Sequence, residues 1–286
     1  MLKINYLPGI YILLFITACT PLSLLKGRNE VAETIAQSGQ LTASYADTGK
    51  FILKTFHKGL DSGTESLHVY IEGDGYAWKR RGRISDNPTP KNPVTLRLAA
   101  RDPSPAVIYI ARPCQYQAKE NSSDCNVRYW TSHRYSEDVV AAINQVITQA
   151  VTKTRAKQVG LIGYSGGGTI AVLIAARRDD IDWLVTVVGN LDHTLWTEIH
   201  NVTPLTGSLN AADFADHIGL LPQMHFVGGK DKIVTADILN SFIGRMKTDV
   251  DARFTIIPDY DHTCCWEQNW PELLCRYTGW KLDYCG

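Results

Sequence analysis

The stretch Leu161-Ile162-Gly163-Tyr164-Ser165-Gly166-Gly167-Gly168-Thr169 sets one hydroxyl among small neighbours, directly behind an apolar run. A sharp strand-to-helix turn holds a serine in a backbone conformation that bulky flanking residues would forbid, so glycines must surround it. Its Oγ then points out of the turn beside the positive end of the next helix. Two plainer explanations compete: an ordinary βα turn and a phosphate-cradling loop. The second lacks its parts, because Gly-x-x-x-x-Gly-Lys is absent and Gly163-x-Ser165-x-x-Gly168 does not follow a first strand. Gly163-x-Ser165-x-Gly167 between a strand pattern and a helix pattern therefore points to a nucleophile. A serine hydroxyl is too weak an acid to attack unaided, so a base and a group orienting that base must come from elsewhere.

The elements that would bring such groups together are legible as alternating patterns. Runs rich in β-branched residues at 67–71, 106–111, 158–162, 183–188, 224–227 and 253–257, bounded by Gly, Pro or Asp, read as buried parallel strands. Helical patterns at 94–101, 136–154, 167–178, 235–247 and 266–277 lie between them. The alternation predicts an α/β fold over residues 41–286, a doubly wound, mostly parallel sheet with helices on both faces. Residues 41–45 and 51–56 flank Asp47-Thr48-Gly49 and read as a hairpin. That triplet also matches the aspartic-protease signature, whose second copy is absent. Residues 191–221 are long, mixed and rich in His, Asn and Thr, which makes them the expected lid over the sheet.

The turn at Ser165, with its strand and helix neighbours, resembles the nucleophile turn of the α/β-hydrolase superfamily. The resemblance implies that fold and the chain order Ser, then Asp or Glu, then His. On that template Asp231, past the strand at 224–227, is the acid, and Asp192, past the strand at 183–188, is the alternative. His262, after the strand at 253–257, is the base. His57, His68 and His133 precede the serine; His193, His200 and His217 read as solvated loop residues; His225 reads as a core histidine with a satisfied hydrogen bond. The resemblance also implies two oxyanion donors, the Gly166 N–H and one from the loop Glu72-Gly73-Asp74-Gly75-Tyr76, where Asp74 or its neighbour Gly75 would supply it. Tyr76 and Trp78 pack or line a pocket. Arg112 and Arg128 read as surface charges, with anion binding as the alternative. The implied activity is hydrolysis of a small-molecule or lipid ester through an acyl-enzyme, without cofactor or metal. A non-catalytic binding scaffold on the same fold is the rival expectation.

The chain's 286 residues carry 29 Lys+Arg and 29 Asp+Glu, so no global attraction to nucleic acid is expected. Lys3, the apolar run at 10–16 and Ile16-Thr17-Ala18-Cys19 lay out a signal peptide over residues 1–18, too short to span a bilayer. Ile-Thr-Ala-Cys resembles the bacterial lipobox, which implies acylation of Cys19 and, with Thr at the next position, an outer-membrane address. Residues 19–40 then read as a tether, polar apart from 22–25 and a short helical possibility at 31–36. Removing Cys19 leaves Cys114, Cys125, Cys264, Cys265, Cys275 and Cys285, an even number suited to three disulfides in an exported protein. Cys114 and Cys125 are expected to close a local loop. A vicinal Cys264 to Cys265 bond is disfavoured because disulfide geometry strains it. A zinc site using His262 and the C-terminal cysteines is the alternative.

Overall fold

The apolar runs pair side by side into one sheet. The computed structural model describes residues 27–117, 125–247 and 250–278. Helix α1 (Arg28–Ser38) leads into the hairpin of β1 (Thr42–Asp47) and β2 (Ile52–Lys58), then into β3 (Ser66–Ile71). A small outlying hairpin, β4 (Trp78–Arg80) and β5 (Arg83–Ile84), precedes α2 (Val94–Arg101) and β6 (Val107–Ile110). The chain continues through α3 (Glu137–Thr154), β7 (Gln158–Tyr164), α4 (Gly166–Ala175), β8 (Ile181–Val187) and α5 (His193–Ile199). It closes with β9 (Gln223–Gly228), α6 (Ala236–Ile243), β10 (Ala252–Ile257) and α7 (Trp270–Thr278).

The eight-stranded sheet runs β1-β2-β6-β3-β7-β8-β9-β10. β1 and β2 are antiparallel to their neighbours, and β6 through β10 are parallel. This is the expected α/β-hydrolase arrangement. Parallel strands end at one edge, so the loops after β3, β6, β7, β8, β9 and β10 gather there. One face is covered by α3, which buries Val139, Ile143, Val146 and Ile147 at helical spacing, and by α4, every residue of which is buried. On the other face Ala32 of α1, Leu96 and Leu98 of α2, and Trp270 and Leu274 of α7 form a second core. Within it a polar thread joins His68 Nδ1 to Asp102 Oδ2 at 2.7 Å, the Tyr70 hydroxyl to the same oxygen at 2.6 Å, and Trp270 Nε1 to the Tyr70 hydroxyl at 2.8 Å.

Several expectations need correction. Residues 28–38 are not tether but α1, with Ala32, Ile35 and Ala36 buried, so the packed domain starts a dozen residues earlier than position 41. β10 is an edge strand rather than a buried one, with Phe254 and Ile256 half-exposed, because among the described residues no strand pairs with its outer side. Residues 191–221 are not all lid. Ala211, Ala212, Ala215 and Ile218 sit on a 3-10 segment that buries them against α4, whereas Trp196 of α5 lines the cavity at the sheet edge. No helix among the described residues is long and apolar enough to cross a membrane. The signal segment, Cys19 and Cys285 lie outside the described residues.

Candidate active site

Ser165 follows β7 and precedes α4 at φ 51° and ψ −121°, a left-handed conformation rare for a residue with a Cβ. Its N–H donates to Val187 O at 2.9 Å and its carbonyl accepts from Asn190 N–H at 3.0 Å, so β8 holds the turn in place. Gly163 is required by contact: a Cβ there would meet the Gly167 carbonyl well under 3.0 Å away.

The loops after β9 and β10 complete a chain of hydrogen bonds. Asp231 accepts from Ile233 N–H at 2.7 Å and Val234 N–H at 3.0 Å through Oδ1, which leaves Oδ2 at 2.8 Å from His262 Nδ1. His262 Nε2 lies 3.0 Å from Ser165 Oγ. In the tautomer this network favours, Nδ1–H donates to the carboxylate and Nε2 accepts a hydrogen bond from the serine hydroxyl. The loop carrying His262 is braced on several sides. The Tyr164 hydroxyl donates to His262 O at 2.9 Å, Asp261 accepts from Thr263 N–H at 2.7 Å and Cys264 N–H at 2.6 Å, and Trp266 Nε1 donates to Asp261 O at 3.0 Å. The alternative acid, Asp192, is occupied elsewhere. Its oxygens accept from Ser241 Oγ at 2.7 Å, Asn210 Nδ2 at 2.8 Å and Arg245 Nη2 at 3.0 Å, and it caps α5. Against the desolvation of its site, these bonds from Ser241 and Asn210 hold its carboxyl below the usual range.

The loop after β3 is anchored twice. Glu72 is buried and accepts from Gly73 N–H at 2.9 Å, Thr95 Oγ at 2.7 Å and the Tyr109 hydroxyl at 2.9 Å; burial pushes its carboxyl upward. Asp74 accepts from Arg134 Nη1 at 2.8 Å, the Tyr135 hydroxyl at 2.8 Å and Arg112 Nη1 at 3.3 Å. Burial opposes its ionisation, but Arg134 and Arg112 keep the carboxyl below its usual range. Asp74 therefore has a side-chain role that its expected backbone role did not include. Its Oδ1 lies against Gly166, so the two residues expected to offer oxyanion donors are packed on each other. The Gly166 N–H is the first of α4 and has no carbonyl one turn back to pair with.

Other residues depart from expectation. Arg112 is not a surface charge but is 3 % exposed, paired with Asp74 and bonded to Arg134 O. Arg128 remains exposed, its guanidinium 4.7 Å from the Tyr129 ring centre. His193 is buried rather than solvated, with its ring 5.9 Å from that of Tyr135, and burial lowers its pKa. His200 contacts Ile233 O at 2.7 Å, while His217 is exposed. His225 is the expected core histidine, 2.8 Å from Thr186 Oγ, with its pKa pushed down to about 3 by burial.

Cys114 pairs with Cys125 as expected, Cys264 pairs with Cys265 against expectation, and Cys275 is disulfide-bonded. Consecutive Cα atoms are held close by the peptide itself, 3.7 Å here, and Cys265 sits at φ 82°. Among the described residues no His, Cys, Asp and Glu side chains gather as a metal-binding group.

Ser165 and His262 open onto a cavity of about 420 Å³ walled by Tyr76, Trp78, Trp196 and Ile233. Trp196 Nε1 donates to Ile233 O at 2.8 Å, tying α5 to the Asp231 loop. Arg134, Tyr135, Glu72 and Trp196 were not singled out in the sequence. Their partners lie tens of residues away, and only the acid ending the apolar run of β3 gave a local hint.

Comparison with known proteins agrees with this architecture. The dienelactone hydrolase family matches residues 110–271, more than half of the chain. A search of curated proteins by sequence finds no match. Among solved structures, the esterase Pf2001 of Pyrococcus furiosus aligns at 13 % identity and a TM-score of 0.59, covering 86 % of this chain and 93 % of its own. Est1E from Butyrivibrio proteoclasticus aligns at 15 % and 0.56, covering 81 % and 95 %. A candidate dienelactone hydrolase from Klebsiella pneumoniae aligns at 18 % and 0.57, covering 84 % and 99 %. With the sheet order, the strained serine turn and the matched family in hand, the chain belongs to the dienelactone hydrolase family of the α/β-hydrolase superfamily.

Proposed function

We propose that the protein hydrolyses carboxylic esters with Ser165 as nucleophile, His262 as general base and acid, and Asp231 as the group that orients His262. The observation that carries this reading is the unbroken chain of hydrogen bonds, 2.8 Å from Asp231 to His262 and 3.0 Å from His262 to Ser165. His262 Nε2 takes the serine proton as Oγ adds to the acyl carbon, and Asp231 stabilises the imidazolium. The N–H groups of Gly166 and Asp74 take the oxyanion. Collapse breaks the ester C–O bond, and the alcohol leaves with the proton held by His262. Water, deprotonated by His262, then adds to the acyl-enzyme and frees the acid and Ser165. Turnover of a chromogenic acetate ester tests the reading: wild type hydrolyses it and Ser165→Ala does not. Equal rates from both would refute it.

In the same reading, residues 1–18 are an export signal and Cys19 is acylated, holding the enzyme on the cell envelope, at the outer membrane. Support comes from the apolar run and Ile16-Thr17-Ala18-Cys19. The mass of the membrane-extracted protein tests it, since a chain retaining residues 1–18 or lacking added lipid would contradict the anchor.

A further inference from the structure

Residues 78–86 read Trp-Lys-Arg-Arg-Gly-Arg-Ile-Ser-Asp, four cations against one acid in a chain with no net formal charge. They form the β4–β5 hairpin, which stands apart from the main sheet, and every residue from 78 to 84 is exposed. Trp78 and Ile84 are cross-strand partners, so their side chains share one face, 41 % and 36 % exposed. Lys79 pairs with Asp86, which leaves Arg80, Arg81 and Arg83 as an excess of positive charge around that apolar face. Arg81 Nη2 donates to Asn201 O at 3.1 Å and fastens the hairpin over the segment that follows α5.

Behind the hairpin lies a second cavity of about 600 Å³, walled by Trp78, Ile84, Trp196, Val202 and Leu205. Trp78, Trp196 and Arg134 line this cavity and also the one that holds Ser165 and His262, so the two adjoin. Val202 and Ile233, on the same rim, are also exposed. An indole with a branched aliphatic partner, ringed by arginines, has the composition of a surface that sits at the headgroup level of an anionic bilayer. The start of the fold lies on this side as well. Arg28 of α1 donates to Asn87 O at 3.0 Å and Thr89 O at 2.8 Å, and its guanidinium lies over the Tyr76 ring, a wall of the catalytic cavity. Seven residues lie between Cys19 and Gly27, eight steps along the chain, so a lipid on Cys19 would hold this side within about 28 Å of its membrane at full extension.

We propose that the β4–β5 hairpin docks the mouth of the catalytic cavity on an anionic lipid surface, and that the adjoining apolar cavity receives the hydrocarbon arm of an ester drawn from that surface. The docking half is independent of the ester-hydrolase reading; the cavity half rests on it. Each basic residue near such a surface strengthens partitioning about five-fold. The docking test uses the chain begun at residue 20, which keeps every described residue and lacks Cys19, sedimented with phosphatidylcholine vesicles with or without phosphatidylglycerol. The expected result is binding that requires phosphatidylglycerol and falls at least about 25-fold in Arg80→Glu/Arg83→Glu. A second variant, Trp78→Ser/Ile84→Ser, weakens binding while keeping the charge. Equal binding to both vesicle types, no loss in either variant, or equally tight binding to a single-stranded oligonucleotide overturns the lipid assignment.

The cavity half is read from the ratio of kcat/KM for a long-chain ester carried in phosphatidylglycerol vesicles to that for a dissolved acetate ester. Val202→Asp, which puts a charge into the apolar wall, is expected to lower that ratio at least about ten-fold, and Val202→Leu to restore it. Varying the acyl chain and the alcohol chain separately identifies which arm enters. Turnover of the acetate ester with no use of the long-chain ester overturns the cavity assignment. No turnover of either refutes the ester-hydrolase reading itself.

Discussion

Gly166→Ala probes the contact on which both oxyanion donors depend. An alanine Cβ would sit less than 3.0 Å from Asp74 Oδ1 and 2.6 Å from the Tyr135 hydroxyl. The carboxylate cannot swing aside freely, because Arg134, Tyr135 and Arg112 hold it. Alanine gains ~1 kcal/mol of helix propensity over glycine. Disrupting a buried ion pair costs ~3–5 kcal/mol, so the loss outweighs the gain and the net destabilisation is ~2–4 kcal/mol. For a chain of this size that lowers the melting temperature by roughly 4–16 °C. Moving the 74 loop also displaces one donor, which lowers kcat/KM by ~10²–10³-fold. Thermal melting followed by ellipticity and initial rates on a dissolved acetate ester read the two effects. In the double variant Gly166→Ala/Asp74→Ala the contact with the carboxylate is gone and only that with the Tyr135 hydroxyl stays, so the second substitution costs less than it does alone. Wild-type melting and rates for Gly166→Ala, or strict additivity in the double variant, would refute the clamp.

Other outcomes follow from the same geometry. Asp231→Asn lowers kcat/KM by ~10³–10⁴-fold, whereas Asp192→Asn, which loosens the cap of α5 and the bond from Arg245, lowers the melting temperature and leaves kcat/KM within about three-fold. Because burial depresses the His225 pKa from 6.5 to about 3, the unfolded chain binds more protons than the folded one between those values. His225 therefore leaves stability intact above pH 6.5 and subtracts up to ~5 kcal/mol as pH falls toward 3. The stability of wild type relative to His225→Asn should therefore fall steadily in urea unfolding as pH drops below 6.5, and parallel pH profiles would contradict this. Replacing Cys114 and Cys125 by serine removes a short loop closure and costs ~3 kcal/mol in urea unfolding, while an unchanged midpoint would show that the loop is held without it.

The parts of this site readable in the sequence were those fixed by local sterics and by strand order. Ser165 was legible because a turn at φ 51° needs glycines around it. Asp231 and His262 were legible because parallel strands deliver the loops after β9 and β10 to one edge. Positions defined by distant partners were not. Arg112 looked like a surface charge because the Asp74 that buries it lies 38 residues earlier. His193 looked solvated because its neighbour Tyr135 comes from another loop. The short helical possibility at 31–36 was legible, but not its extension to 28–38 or its packing on the domain: Ala32, Ile35 and Ala36 make only a narrow apolar stripe, and its burial depends on α2. The vicinal pairing of Cys264 and Cys265 goes with a positive φ at Cys265 that no neighbouring glycine announced.

The central claim is that Ser165 is an activated nucleophile whose reactivity comes from His262. Labelling the purified protein with a fluorophosphonate probe and mapping the modified peptide by mass spectrometry tests it directly. One probe per chain on Ser165, lost in His262→Ala of unchanged melting temperature, is the predicted result. Well-folded wild type that takes no label, or label on Ser165 that persists at the same rate without His262, would contradict it.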